Sequence, residues 1–177
     1  LVTALSSIAA HLGSAPDMDL GFDILGSELH NLGLNCAVAT IDQSQEAAVI
    51  RYVSFNPGAI RKMEKITGVP LRNHIIPKQY RPGERVFTEN APIWYPKPRE
   101  IINRMFPAFP EAIADQAWKL TGISSEGQIC IMPLRVEDKV IGAMPIWGAD
   151  LSPSDSPVLA IFASQVAGIL QNAFAYE

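Results

Sequence analysis

The stretch GQICIMPLRVEDKVIGAMPIWGADLSPSD, residues 127–155, decides the fold. Two runs rich in Ile, Val and Met, Gln128–Val136 and Lys139–Trp147, flank the charged pair Glu137-Asp138. Apolar runs of that length on either side of a tight polar turn predict a β-hairpin. Pro133 and Pro145 interrupt the runs, and proline cannot donate to the ladder of a central strand. Next, Ser152-Pro153 and Ser156-Pro157 each set a capping residue before a proline suited to a first helical turn, and a helix is predicted from there to the end of the chain. Leu159, Phe162, Val166, Leu170 and Ala173 form one apolar face of this helix. Val158, Ile161, Gly168, Ile169 and Tyr176, interleaved with Gln165 and Asn172, form a second. A helix lying on a sheet needs one apolar stripe. The second face therefore predicts a helix–helix contact, and a homodimer in which Val158, Ile161, Gln165, Ile169 and Tyr176 meet the partner.

Upstream, Leu1, Leu5, Ile8 and Leu12 stand at helical spacing, and Ser14-Ala15-Pro16 breaks the pattern. Asp17 or Asp19 can cap a second helix bearing Leu20, Ile24, Leu25 and Leu32, with Gly33 as its stop. Cys36–Ile41 and Val49–Ser54, joined by a polar loop, read as another hairpin. Asn56-Pro57 opens a short helix that stops at Gly68. From Val69 to about Pro110 the chain holds eight prolines and reads as irregular, apart from a short strand around Ile93–Tyr95. A connection this long inside a domain is commonly functional. A further helix, Glu111–Thr121, stops at Gly122. The chain opens inside one helical pattern and closes inside another. The expectation is a single domain, 1–177, cut from a longer chain.

A chain of 177 residues with 48% apolar and 18% charged residues can bury one sizeable core. Two cysteines make no disulfide framework, so a reducing, cytoplasmic setting is expected. The uncharged run from Ser156 to Tyr176 carries Ser, Gln, Asn and Pro, so no membrane contact is expected of this domain. The net charge of −4 is unevenly spread: residues 1–50 hold six acids and no Lys or Arg, whereas residues 51–104 hold eleven bases against four acids. That basic block is either a solvated surface or the site of an anion.

No phosphate loop, GxSxG or HExxH is present, and His11, His30 and His74 lack metal-ligand spacing, so no catalytic or metal site is assigned. Cys36 and Cys130 sit in apolar strand runs, where inert buried thiols belong. Aromatics mix with bases in the middle third. An acidic total charge and the lack of a binding motif turn the reading away from nucleic acid. The aromatics then belong either to a core under a loop-covered sheet or to a small-molecule pocket.

The order helix, hairpin, helix, long segment, helix, hairpin, terminal helix resembles the GAF domain. Its carriers are Pro133-Leu134, Ile141-Gly142 and Trp147 in the hairpin, the Phe-Ala-x-Gln-Val pattern at Phe162–Val166, and Asn172-Ala173. MEKITGVPL at 63–71 and Leu120-Thr121-Gly122 look like a subtype found in bacterial sensor histidine kinases. The resemblance implies an α+β fold with a six-stranded antiparallel sheet. Terminal helices would lie on one face, and a pocket covered by the middle segment on the other. It also implies a regulatory role without catalysis, through flanking signalling domains of a histidine kinase or, alternatively, a cyclase or transcriptional regulator. A ligand-free dimerisation and relay module is the other alternative. The Asn-Lys-Phe-Asp-Glu set of cyclic-nucleotide binders and the phytochrome chromophore signature are absent, so no cofactor is named. A small anionic ligand would meet Arg72, Arg81 and Arg85 beneath the middle segment, between the aromatic walls of Tyr52, Phe55, Tyr80, Trp94 and Tyr95.

Overall fold

The structure is a computed structural model that describes residues 1–41, 44, 46–81, 84–105, 109–124 and 127–174. In chain order the elements are α1 (Val2–Gly13), α2 (Met18–Asn31), β1 (Leu34–Ile41), β2 (Ala47–Val53), α3 (Pro57–Thr67), β3 (Ile75–Pro77), α4 (Glu84–Glu89), β4 (Ile93–Tyr95), α5 (Pro98–Met105), α6 (Glu111–Thr121), β5 (Gln128–Val136), β6 (Lys139–Gly148) and α7 (Ser156–Phe174). The strands form one antiparallel sheet in the order β3-β2-β1-β6-β5-β4.

Local chemistry sets most boundaries. Asp17 caps α2 by accepting from the Leu20 N–H at 2.8 Å. Asn56 caps α3 through the Gly58 N–H, with Pro57 in the first turn. Gly68 and Gly122 end α3 and α6 with φ of 69° and 68°, a left-handed conformation that costs glycine little. At the last helix both predicted starts are used. Ser152 and Asp155 form a capping box around a 3-10 turn, and α7 continues from Ser156.

The stretch 69–110, expected to be irregular apart from a strand around Ile93–Tyr95, contains that strand as β4 together with β3, α4 and α5. Each spans three to eight residues, too short to show a period. The prolines mark boundaries here: Pro77 closes β3 and Pro98 opens α5. The two strand prolines are also accommodated. Pro133 lies beyond the three residues by which β4 pairs with β5, so its neighbour there ends before it. Pro145 lies in β6, and the β1–β6 pairing is interrupted between Cys36↔Ile146 and Ala39↔Ala143, the interval that contains it. A Cβ on Gly142 would stand 2.1 Å from the Ala39 carbonyl oxygen, so β1 and β6 approach closely at a residue without a side chain.

Two apolar layers enclose the sheet. On one face α1, α2 and α7 cover Leu34, Cys36, Val38, Cys130, Met132, Leu134, Met144 and Ile146. The expected stripe of α7 supplies Leu159, Phe162, Val166 and Leu170, all buried. On the other face Ile129, Ile131, Ala143 and Trp147 pack with Val86 of α4 and Ile101 of α5, and Ala48, Ile50 and Ile76 form a neighbouring cluster. Fully burying each such aliphatic side chain stabilises by about 1.5–3 kcal/mol.

The parity of β2 changes midway. Ala39 pairs with Ile50 but Val38 pairs with Tyr52, so Arg51 is an extra residue in the ladder, a β-bulge. Before it, Ala48 and Ile50 face the second layer. After it, Tyr52 packs with the first layer and Val53 with the second.

Candidate functional site

The second face of the sheet carries a cavity of about 110 Å³. Its floor is Ala37, Ile50, Val53, Ile129, Pro145 and Trp147. Its roof comes from Met63 and Thr67 of α3, Ile101 of α5, Phe109, and Ala114, Ala117 and Thr121 of α6. Phe55 lies against Trp147 with ring centroids 5.4 Å apart. The two threonine hydroxyls are used within their helices: Thr67 Oγ1 donates to the Met63 carbonyl at 2.8 Å and Thr121 Oγ1 to that of Trp118 at 2.7 Å. The indole Nε1 of Trp147 is buried without a hydrogen-bond partner among the described residues.

A second cavity of about 50 Å³ shares Ala37, Ile50 and Pro145 with the first and adds Ala39, Ala48, Ile76, Ala143, Phe87 and Arg81. Arg81 follows a 3-10 turn at 78–80 and is 2% exposed. Its Nε and Nη2 donate to Glu84 Oε2 and Oε1 at 3.1 and 3.2 Å, and its guanidinium carbon lies 4.6 Å from the Phe87 ring centroid. Nη1 is buried without a partner among the described residues. The guanidinium is held between a carboxylate and a ring, with both N–H groups of Nη1 left over.

The other residues expected at the site are dispersed. Arg72 is exposed and pairs with Asp19 at the rim of a different, wider cleft that also holds Asp23, Arg51, Tyr52 and Glu64. Arg85 is exposed and donates twice to Glu89, at 2.7 Å each. That pairing raises the Arg85 pKa and lowers that of Glu89. Tyr80 is exposed. Phe55 lines the larger cavity, and Tyr95 packs within the second apolar layer. Tyr52 and Trp94 lie on the opposite face of the sheet, where Tyr52 stacks on Phe22 at 4.9 Å and Trp94 Nε1 donates to Ser156 Oγ at 2.9 Å. The Arg51 bulge turns Tyr52 away. Simple alternation does so for Trp94, which pairs with Cys130 while Tyr95 pairs with Ile129. Trp147 was not expected at the site, although counting by twos from Ala143 and Pro145 along β6 puts it on their face.

Of the residues expected in a dimer contact, Ile161 is 58% exposed and Gln165 is also exposed. Val158 and Ile169 are partly buried against the first layer, and a Cβ added to Gly13 of α1 would lie 3.6 Å from Ile169 Cδ1. Part of the second face of α7 therefore packs on α1 within the chain. Tyr176, and Phe106 among the middle-third aromatics, lie outside the described residues.

Cys36 and Cys130 are buried, and burial raises each thiol pKa to about 12. At Cys36 a hydrogen bond from the Ser54 side chain pulls partly the other way. Among the described residues there is no group of three or more His, Cys, Asp or Glu placed to hold a metal ion, and no helix long and apolar enough to cross a membrane.

No protein-family model and no curated protein matches the chain. Solved structures do. The GAF domain of a phosphoenolpyruvate-protein phosphotransferase from Coxiella burnetii has a TM-score of 0.65 at 13% identity, covering 98% of this chain and 94% of that one. The corresponding domain from Acinetobacter has a TM-score of 0.63 at 13% identity, with 99% and 95% covered. The free methionine-R-sulfoxide reductase of Neisseria meningitidis, solved with its substrate, has a TM-score of 0.60 at 13% identity, with 98% and 90% covered. With its antiparallel six-stranded sheet, its helices α1, α2 and α7 on one face and its roofed cavity on the other, the chain has the fold of the GAF domains.

Proposed function

We propose that this chain is a regulatory, sensory domain of a bacterial signal-transduction protein, a sensor histidine kinase for preference. In this reading a small molecule in the cavity biases the packing of α1 against α7. The carrying observation is the placement of a roofed apolar cavity on one face of the sheet and of the paired first and last helices on the other. A ligand acts through such a device only if it favours one arrangement of the helices over another. The domain works in the cytoplasm, next to flanking signalling domains of its own protein, and carries no catalytic step. In support, both thiols are core groups with pKa values near 12 and make poor nucleophiles at neutral pH. Similar folds come from a phosphotransferase and from a methyl-accepting chemotaxis protein.

The test is a thermal-shift screen of the domain against nucleotides, tetrapyrroles, small acids and small neutral aromatics. A ligand at a hundred times its Kd stabilises by about 2.7 kcal/mol. At about 2–4 °C per kcal/mol for a domain of this size, Tm should rise by roughly 5–11 °C. Amide exchange should slow both in the roof helices and in α1 and α7. Binding that leaves α1 and α7 unchanged would refute the relay. A second reading, a ligand-free dimerisation module, is favoured by the exposed Ile161. It is supported instead if no compound shifts Tm and the domain sediments as a dimer.

A further inference from the structure

We infer that the two adjoining cavities together take an uncharged, ring-sized, largely apolar molecule carrying a carbonyl or similar oxygen, and that Arg81 Nη1, in the wall of the smaller, donates to that oxygen. This rests on the sensory reading above and names its ligand class. Arg81 Nη1 is a buried donor of a charged group with no partner among the described residues, in a wall whose other side chains are Ala, Ile, Phe and Pro. An unmet donor of this kind is costly, and a site built to satisfy it selects molecules that carry an acceptor. A water molecule fits poorly, because a buried water wants two to four polar partners and the surrounding side chains are apolar.

Glu84 decides the charge of the ligand. Both of its oxygens are engaged by Arg81, so the guanidinium charge is already compensated. An incoming carboxylate would bring a second negative charge close to Glu84, find one free guanidinium nitrogen, Nη1, and bury the rest of its charge among apolar groups. A neutral oxygen needs no more than that one nitrogen. Trp147 Nε1, two residues along β6 from the shared wall at Pro145, is a second orphan donor and suits a second neutral oxygen. Size follows from the two adjoining cavities of about 110 and 50 Å³, comparable with a dry apolar cavity of about 150 Å³ that accepts benzene.

Three compounds of one shape separate the possibilities: acetophenone, benzoate and ethylbenzene. Each is titrated into the intact domain and followed by the indole N–H resonance of Trp147, assigned with Trp147→Phe. Acetophenone should bind at least about tenfold more tightly than either of the others. In Arg81→Met the ratio of acetophenone to ethylbenzene affinity should collapse to about one. Should that variant not fold, Glu84→Gln carries the test, because freeing the guanidinium charge should raise benzoate affinity by about tenfold or more. Benzoate binding more tightly than acetophenone to the wild type would overturn the neutral ligand in favour of an anion. Ethylbenzene matching acetophenone would reduce the site to an apolar hole in which Arg81 plays no part. If none of the three binds while another compound raises Tm, this inference fails and the sensory reading stands. If nothing binds at all, both fail.

Discussion

The Arg51 bulge can be tested through a glycine on another element. A Cβ added to Gly26 of α2 would lie 1.8 Å from Tyr52 Oη and 3.0 Å from Tyr52 Cζ. Such contact exists only because the bulge sends Tyr52 to the helix side of the sheet. Gly26→Ala should gain about 0.8–1 kcal/mol of helix propensity. Against this stands an overpacking cost of about 1–3 kcal/mol, which leaves a net loss of about 0–2 kcal/mol. Tyr52→Phe removes the atom in severest contact and leaves the ring carbon at a distance a small shift of α2 can relieve. In that background the overpacking is relieved and Gly26→Ala should show its propensity gain, giving a coupling of about 1–3 kcal/mol between the two substitutions. Urea unfolding of the four proteins, with equal m-values, measures it. In thermal scans it should amount to roughly 2–12 °C, at about 2–4 °C per kcal/mol. Effects that add within about 0.3–0.5 kcal/mol would mean that Tyr52 does not face α2, and the parity change in β2 would be wrong.

Two other glycines should respond in opposite directions. Gly142→Ala places a Cβ against the Ala39 carbonyl, a backbone group that cannot step aside, and should cost about 3 kcal/mol or more in denaturant titration. Gly168→Ala has open space in the interior of α7 and should gain about 0.5–1 kcal/mol, and a loss there would contradict the placement. Unfolded thiols ionise near pH 9 but the folded ones near 12, so the native state holds more protons between those values. Stability should therefore be intact below pH 9 and decline as pH rises above it, and a disulfide-exchange reagent at pH 8 should label neither Cys36 nor Cys130 until the chain unfolds. His74 works the other way: burial lowers its pKa, so stability present above its ordinary value is lost as pH falls below it, an effect His74→Gln should flatten in acid titration. Ile161→Glu should leave unfolding nearly unchanged, since Ile161 is exposed, yet abolish self-association if α7 forms a dimer; a wild type that sediments as a monomer at high micromolar concentration refutes that contact.

Sequence alone determined the elements whose causes are local. The caps at Asp17 and Asn56, the left-handed stops at Gly68 and Gly122 and the buried stripe of α7 rest on neighbours within a few residues, so they are readable without the fold. The late hairpin was legible for the same reason, and with the order of elements it led to the α+β architecture. Tertiary structure decided what the side chains of those elements meet. Which face Tyr52 occupies depends on one extra residue in a ladder with a strand that begins 18 positions earlier, and alternation within β2 cannot reveal it. Arg72, Arg81 and Arg85 are one residue type in one basic block. Two lie at the surface against Asp19 and Glu89, and the third is sealed over the sheet because α4 and the floor of the sheet close around it. Burial and hydrogen-bond partnership are properties of non-local packing. They turn an ordinary surface charge into a donor with a vacancy, and only the folded sheet decides which arginine that is.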